Sequence, residues 1–126
     1  MHGDVKARNI VIGVDGRAKL TNFGWARSSI AGGKIIGGTP GFITLEVARG
    51  EEQGPAADVG ALGCTVIEMA SGRTPWSGMS GDAFAAMHRI GYTDALAEVP
   101  QWLSADAKDL LARCLIRRPA EQCTAA

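Results

Sequence analysis

From Trp25 to Pro55 the chain is rich in glycine and serine, with Gly32-Gly33, Gly37-Gly38 and Pro40-Gly41 in close succession. Glycine and proline break regular structure, so this stretch predicts a long loop interrupted by one short helix near Leu45–Arg49. Loops of that length inside one domain are usually functional or disordered. The stretch also divides two halves of different character. Before it, Ile10–Val14 and Ala18–Thr21 read as short strands around a turn at Asp15-Gly16. After it, Asp58 is placed to cap a helix running to about Ser71, with Gly72 as its stop. Val59, Leu62, Val66, Met69 and Ala70 recur at helical spacing and predict its buried side. A further helix is expected over Asp82–Ile90, with Phe84, Met87 and Ile90 on one side and His88 in solvent. Ser104 predicts the cap of a third, with Leu110, Leu111, Cys114 and Leu115 as the buried stripe. A strand pair, a long loop and then helices predict an α+β, mostly helical architecture.

With 126 residues the chain suits one domain, and at 46% hydrophobic it has material for a core. Its 13 basic and 13 acidic residues cancel and are scattered. A nucleic-acid or anionic-membrane surface needs a basic stripe, and none is present. Arg113, Arg117 and Arg118 come nearest, and they suit the end of a helix. The three cysteines, Cys64, Cys114 and Cys123, form no C-x-x-C pair, so the expectation is buried thiols in a reducing compartment. No stretch has the length of a membrane span, and Met1-His2-Gly3-Asp4 lacks the features of a signal peptide. These features predict a soluble protein in the cytoplasm, with the nucleus as the alternative.

His2-Gly3-Asp4-Val5-Lys6-Ala7-Arg8-Asn9 matches the catalytic-loop pattern of protein kinases with its second residue changed. Further on, Asn22-Phe23-Gly24 stands where that family has D-F-G, and Thr44-Leu45-Glu46 where it has A-P-E. Asp58-Val59-Gly60-Ala61-Leu62-Gly63 resembles the D-V-W-S-L-G helix, and Gly72-Arg73-Thr74-Pro75-Trp76 resembles G-x-x-P-W. Five matches in order over nearly the whole chain make it similar to serine/threonine protein kinases. The wording of His2–Lys6, Val47–Pro55 and His88–Tyr92 resembles plant-type mitogen-activated protein kinase kinase kinases.

The resemblance implies the carboxy-terminal lobe of a kinase domain over residues 1–126. Its parts would be a catalytic loop at 1–9, a degenerate D-F-G at 22–24, an activation segment at 22–46 and a helical region at 58–126. It implies ATP and magnesium as cofactors, and a protein substrate or partner kinase of a MAP kinase cascade. Asp4 would accept the proton of the substrate hydroxyl and Lys6 would steady the γ-phosphate. Asn9 would hold a magnesium ion, and Thr39 would tie the substrate loop to Asp4 and Lys6. His2, Glu46 and Asp58 would be structural.

Four departures bear on activity. Asn22 replaces the family's magnesium-chelating aspartate, and a hard dication favours charged carboxylate oxygen. Gly3 replaces an arginine that reads a phosphate on the activation segment, so Ser28 or Ser29 could not act that way if modified. Gly60 replaces a bulky tryptophan, a loss that typically costs about 3–5 kcal/mol in a core. As part of this same third, scaffolding departure, Glu46 would pair with an arginine late in the domain, where this chain has Gln122 followed by Cys123. Fourth and largest, the sequence begins at the catalytic loop, and none of its 17 glycines builds G-x-G-x-x-G or a Walker-type loop. With no seat for the nucleotide, the chain alone is expected to be inactive. Three readings stay open: a kinase, a pseudokinase that binds a partner through Thr39–Ile43 and the Phe84/Met87 helix, or a decayed chain with no selected role.

Overall fold

In the computed structural model, residues 1–24, 26, 45–49, 54–73, 75–76, 88, 90 and 99–115 are described. A single 3₁₀ turn, Ala7–Asn9, leads into strand β1, Ile10–Ile12, which pairs antiparallel with β2, Ala18–Leu20. The register sets Ile10 opposite Leu20, Val11 opposite Lys19 and Ile12 opposite Ala18. The turn closes where the Gly13 N–H donates to Arg17 O at 2.9 Å, while Asp15 Oδ1 accepts from the Arg17 N–H at 3.1 Å. Gly16 sits there at φ +76°, a conformation that favours glycine. The strands end before Val14 and Thr21. Val14 is fully exposed, and Thr21 leaves the ladder to bond back to Asn9.

Helix α1, Leu45–Ala48, is one short turn in the place where a helix to Arg49 was expected. Helix α2, Pro55–Ser71, is the spine of the fold. It starts earlier than the expected cap. Gly54 is the N-cap and Pro55 takes the first helical turn, where its missing N–H costs nothing. Asp58 therefore lies inside the first turn, and its carboxylate is used elsewhere. The other end is as expected: Gly72 adopts φ +73° and its N–H donates to Glu68 O at 2.8 Å.

The packed side of α2 differs from the periodic stripe. Ala57, Val59, Gly60, Ala61, Gly63, Cys64, Thr65 and Ile67 are buried, whereas Leu62 is 40% exposed and Met69 68%. Small residues take the inside because two other segments approach closely there. Val5 of the first loop packs on Ala61 and Cys64 with Leu115, while Ala48 and Ile90 pack on Ala57 with Met1 and Trp76. The Thr65 hydroxyl, fully buried, is satisfied by donating to Ala61 O at 2.8 Å.

Helix α3, Ala105–Cys114, lies against α2. Ser104 caps it as expected, its Oγ accepting from the Ala107 N–H at 3.2 Å. Leu111 and Cys114 are buried and Leu115 is partly so, but Leu110 is 43% exposed. Leu62 and Leu110 do share an apolar face. That face, with Ile10, Leu20 and Val59, lines an open hollow of about 680 Å³ between the hairpin, α2 and α3. His88 and Ile90 have helical backbone, His88 exposed and Ile90 buried, and the rest of the helix expected over Asp82–Ile90 lies outside the described residues. Ser28, Ser29, Thr39, Phe84, Met87, Gln122 and Cys123 also lie outside them. Among the described residues no helix is long and apolar enough to cross a membrane.

Candidate functional site

The site begins with two backbone N–H groups that no sheet satisfies. Those of His2 and Gly3 donate to the Asp58 carboxylate at 2.6 and 2.9 Å, which pins the start of the chain to α2. Gly3 takes φ +86° and turns the backbone so that His2 and Asp4 both face inward, each buried. The His2 ring then joins three segments. Its Nδ1 accepts from the Asp4 N–H at 3.2 Å, so the ring proton is on Nε2, which donates to Thr21 O at 2.8 Å. Phe23 meets the ring edge-on, with centroids 5.2 Å apart and planes at 65°.

Asp4 is held from two sides. Lys6 Nζ lies 3.1 Å from Asp4 Oδ2, and Asn9 Nδ2 donates to the same oxygen at 3.1 Å and to Asp4 O at 2.8 Å. Lys6 stays partly open to solvent, at 22% exposed, so the pair sits at a surface with the carboxylate on its inner side. Asn9 is in turn clasped by the hairpin's far end. The Thr21 N–H and Oγ1 both donate to Asn9 O, at 2.7 and 3.0 Å. Asn22, at φ +62°, turns its Nδ2 toward Asn9 Oδ1 at 3.4 Å.

The geometry thus brings His2, Asp4, Lys6, Asn9, Asn22 and Asp58 into one cluster. Glu46 stands apart, buried, and among the described residues its Oε1 has no hydrogen-bond partner. Thr21 is the residue that the motif reading missed. Its only signal was a hydroxyl side chain directly before Asn22, and nothing local says that it bonds across the hairpin.

A model of the protein kinase domain family matches residues 1–126. The chain belongs to the protein kinase domain family. Among its relatives in Arabidopsis thaliana, this kinase-domain chain is similar to mitogen-activated protein kinase kinase kinase 18, at 41% identity over 98% of its length. Mitogen-activated protein kinase kinase kinase 17 is 42% identical over 99% of the chain, and mitogen-activated protein kinase kinase kinase YODA 38% over 100%. The chain spans 37%, 34% and 14% of those three relatives.

Kinase domains use ATP and magnesium, so the donor set can be tested for a magnesium ion. Asn9 Nδ2 is committed to two oxygens of Asp4, which leaves Oδ1 as the one side-chain atom that Asn9 could offer a metal. Opposite that atom stands an N–H donor of Asn22, not an anionic oxygen. Magnesium is held through oxygen, typically with one or two carboxylates. As placed, the Asn9/Asn22 pair offers it one neutral amide oxygen and no carboxylate, so the pair alone does not fit it. Beside that pair the cluster holds a buried carboxylate with an ammonium next to it at a solvent edge.

Proposed function

We propose that this chain forms the carboxy-terminal lobe of a serine/threonine protein kinase domain of the MAP kinase kinase kinase type, and that by itself it does not transfer phosphate. In this reading residues 1–9 are the catalytic loop, 22–24 the degenerate D-F-G, 22–46 the activation segment and 58–126 the helical region. The observation that carries the proposal is the Asp4–Lys6–Asn9 cluster facing the amide of Asn22.

In a complete kinase domain Asp4 would accept the proton of a serine or threonine hydroxyl as that hydroxyl's oxygen attacks the γ-phosphorus of ATP and ADP leaves. There Lys6 would offset charge on the transferred group, and Thr39 would tie the substrate loop to Asp4 and Lys6. Such substrates, or a partner kinase, belong to a MAP kinase cascade. A carboxylate at position 22 would add a negative ligand for charge neutralisation, and an amide does not. That one difference favours a pseudokinase over an active enzyme.

The test is transfer of label from γ-labelled ATP to a serine-containing protein in millimolar magnesium, for this chain and its Asp4→Ala variant. No incorporation above the variant's level is expected. Incorporation that disappears in Asp4→Ala overturns the assignment of inactivity.

A further inference from the structure

We infer that the Asn22 amide does the work of a cation here: it supplies the proton that holds Asn9 Oδ1, and so keeps the segment after Thr21 docked on the first loop without metal. The inference rests on reading position 22 as the place of the D-F-G aspartate.

The orientation of both amides follows from chemistry. Asn9 Nδ2 faces Asp4 O at 2.8 Å and Asp4 Oδ2 at 3.1 Å, and both are acceptors. Reversing the Asn9 amide would set its oxygen against two others, at the cost of two buried hydrogen bonds. Its Oδ1 must therefore face Asn22, and an oxygen there needs a donor. Asn22 presents Nδ2 at 3.4 Å. An aspartate at position 22 would bring an anionic oxygen to the same place, where two acceptors repel unless a cation, a water or a shared proton lies between them.

The remaining contacts suit a permanent latch. Thr21 fixes the approach with two bonds to Asn9 O, at 2.7 and 3.0 Å, and His2 Nε2 holds Thr21 O at 2.8 Å. Asn22 is the one non-glycine residue at positive φ among those described, and asparagine tolerates that conformation better than most side chains. Geometry that a bound ion would otherwise organise is already closed by protein hydrogen bonds.

The experiment compares melting of the wild type, Asn22→Asp and Asn22→Ala in EDTA and in millimolar magnesium or manganese, without nucleotide. Wild-type melting is expected to be the same with and without the ion. Asn22→Asp should melt lower in EDTA by roughly 2–8 °C and recover with the ion; Asn22→Ala should melt lower and not recover. Manganese, followed by water-proton relaxation, gives the same distinction without a melting transition: free in the presence of wild type, bound by Asn22→Asp. Ion-dependent stabilisation of the wild type, or an Asn22→Asp protein as stable in EDTA as the wild type, overturns the inference. None of these readouts depends on phosphate transfer, so the labelling assay can fail or succeed independently.

Discussion

Asp58 and His2, 56 positions apart, are joined by a 2.6 Å hydrogen bond from the His2 N–H to the Asp58 carboxylate, whose second oxygen takes the Gly3 N–H at 2.9 Å. A carboxylate is suited to this work because it accepts from two donors at once and strengthens both with its charge. The consequence reaches the site directly, since His2 orients Asp4 and Thr21.

Removing that carboxylate should therefore cost more than a surface change. Hydrogen bonds to charged groups contribute about 1.5–3 kcal/mol each; with Asp58 only partly buried, Asp58→Ala is expected to lose about 2–4 kcal/mol in all. Asp58→Asn keeps one acceptor and should lose roughly half as much. Urea midpoints of the three proteins check both the order and the size. Equal stability of Asp58→Ala and wild type would show that the two backbone groups find water at no cost.

Gly63 sets how closely α2 and α3 approach. A Cβ built there would lie 2.9 Å from Cys114 Cβ and 3.0 Å from Leu115 Cδ2. The leucine tip can swing away, but the Cys114 Cβ is fixed to the α3 backbone, so the helices must separate. Overpacking of this kind costs about 1–3 kcal/mol, offset by about 1 kcal/mol from alanine's better helix propensity. Gly63→Ala should be destabilised by up to about 2 kcal/mol, read as a lower urea midpoint. A gain in stability would mean that α3 is not held against α2 in solution.

What could be read from the sequence divides along a physical line. The hairpin turn at Asp15-Gly16, the Gly72 stop and the Ser104 cap are local chemistry, decided by neighbours within a few residues. The members of the Asp4 cluster were legible because they sit in short motifs. Long-range use of a side chain was not. Asp58 near a helix start has the look of a cap, yet its carboxylate serves His2 and Gly3, while Gly54 and Pro55 start the helix. Likewise, periodicity finds an apolar stripe on α2 but cannot say which face is covered. The covered one carries Ala57, Gly60, Ala61 and Cys64, because loop and helix come too close for leucine. The directions of the Asn9 and Asn22 amides depend on where Asp4 O lies, which no motif encodes.

Gly3 gives a prediction that runs against the motif. The family pattern places an arginine there, and restoring it could be thought to repair the loop. At φ +86° any L side chain meets its own backbone, a penalty of about 1–2 kcal/mol. Gly3→Ala and Gly3→Arg should therefore both lose about 1 kcal/mol, since the penalty comes from the Cβ that they share. Denaturant midpoints test this. A Gly3→Arg protein more stable than wild type would show that the guanidinium gains a partner outweighing the strain.

Cys64 carries the pH dependence. Burial pushes its thiol up from 9.0 to about 12; a backbone hydrogen bond pulls the other way, and the neighbouring Cys114 adds to the rise. The folded state thus keeps a proton that the unfolded chain gives up. The neutral thiol's contribution is complete below about 9 and is lost as pH climbs from there toward about 12, because the unfolded state alone sheds the proton in that window. The slope attributable to one such group approaches about 1.4 kcal/mol per pH unit. The measurement is a difference, so that the contribution of this one thiol is isolated: stability against pH for wild type minus that for Cys64→Ala. The wild type should fall more steeply through the alkaline window, and its Cys64 should resist alkylation near neutral pH until the chain is unfolded. Parallel curves, or rapid native-state alkylation of Cys64, would place the thiol in contact with solvent and contradict its burial between α2 and the Val5 loop.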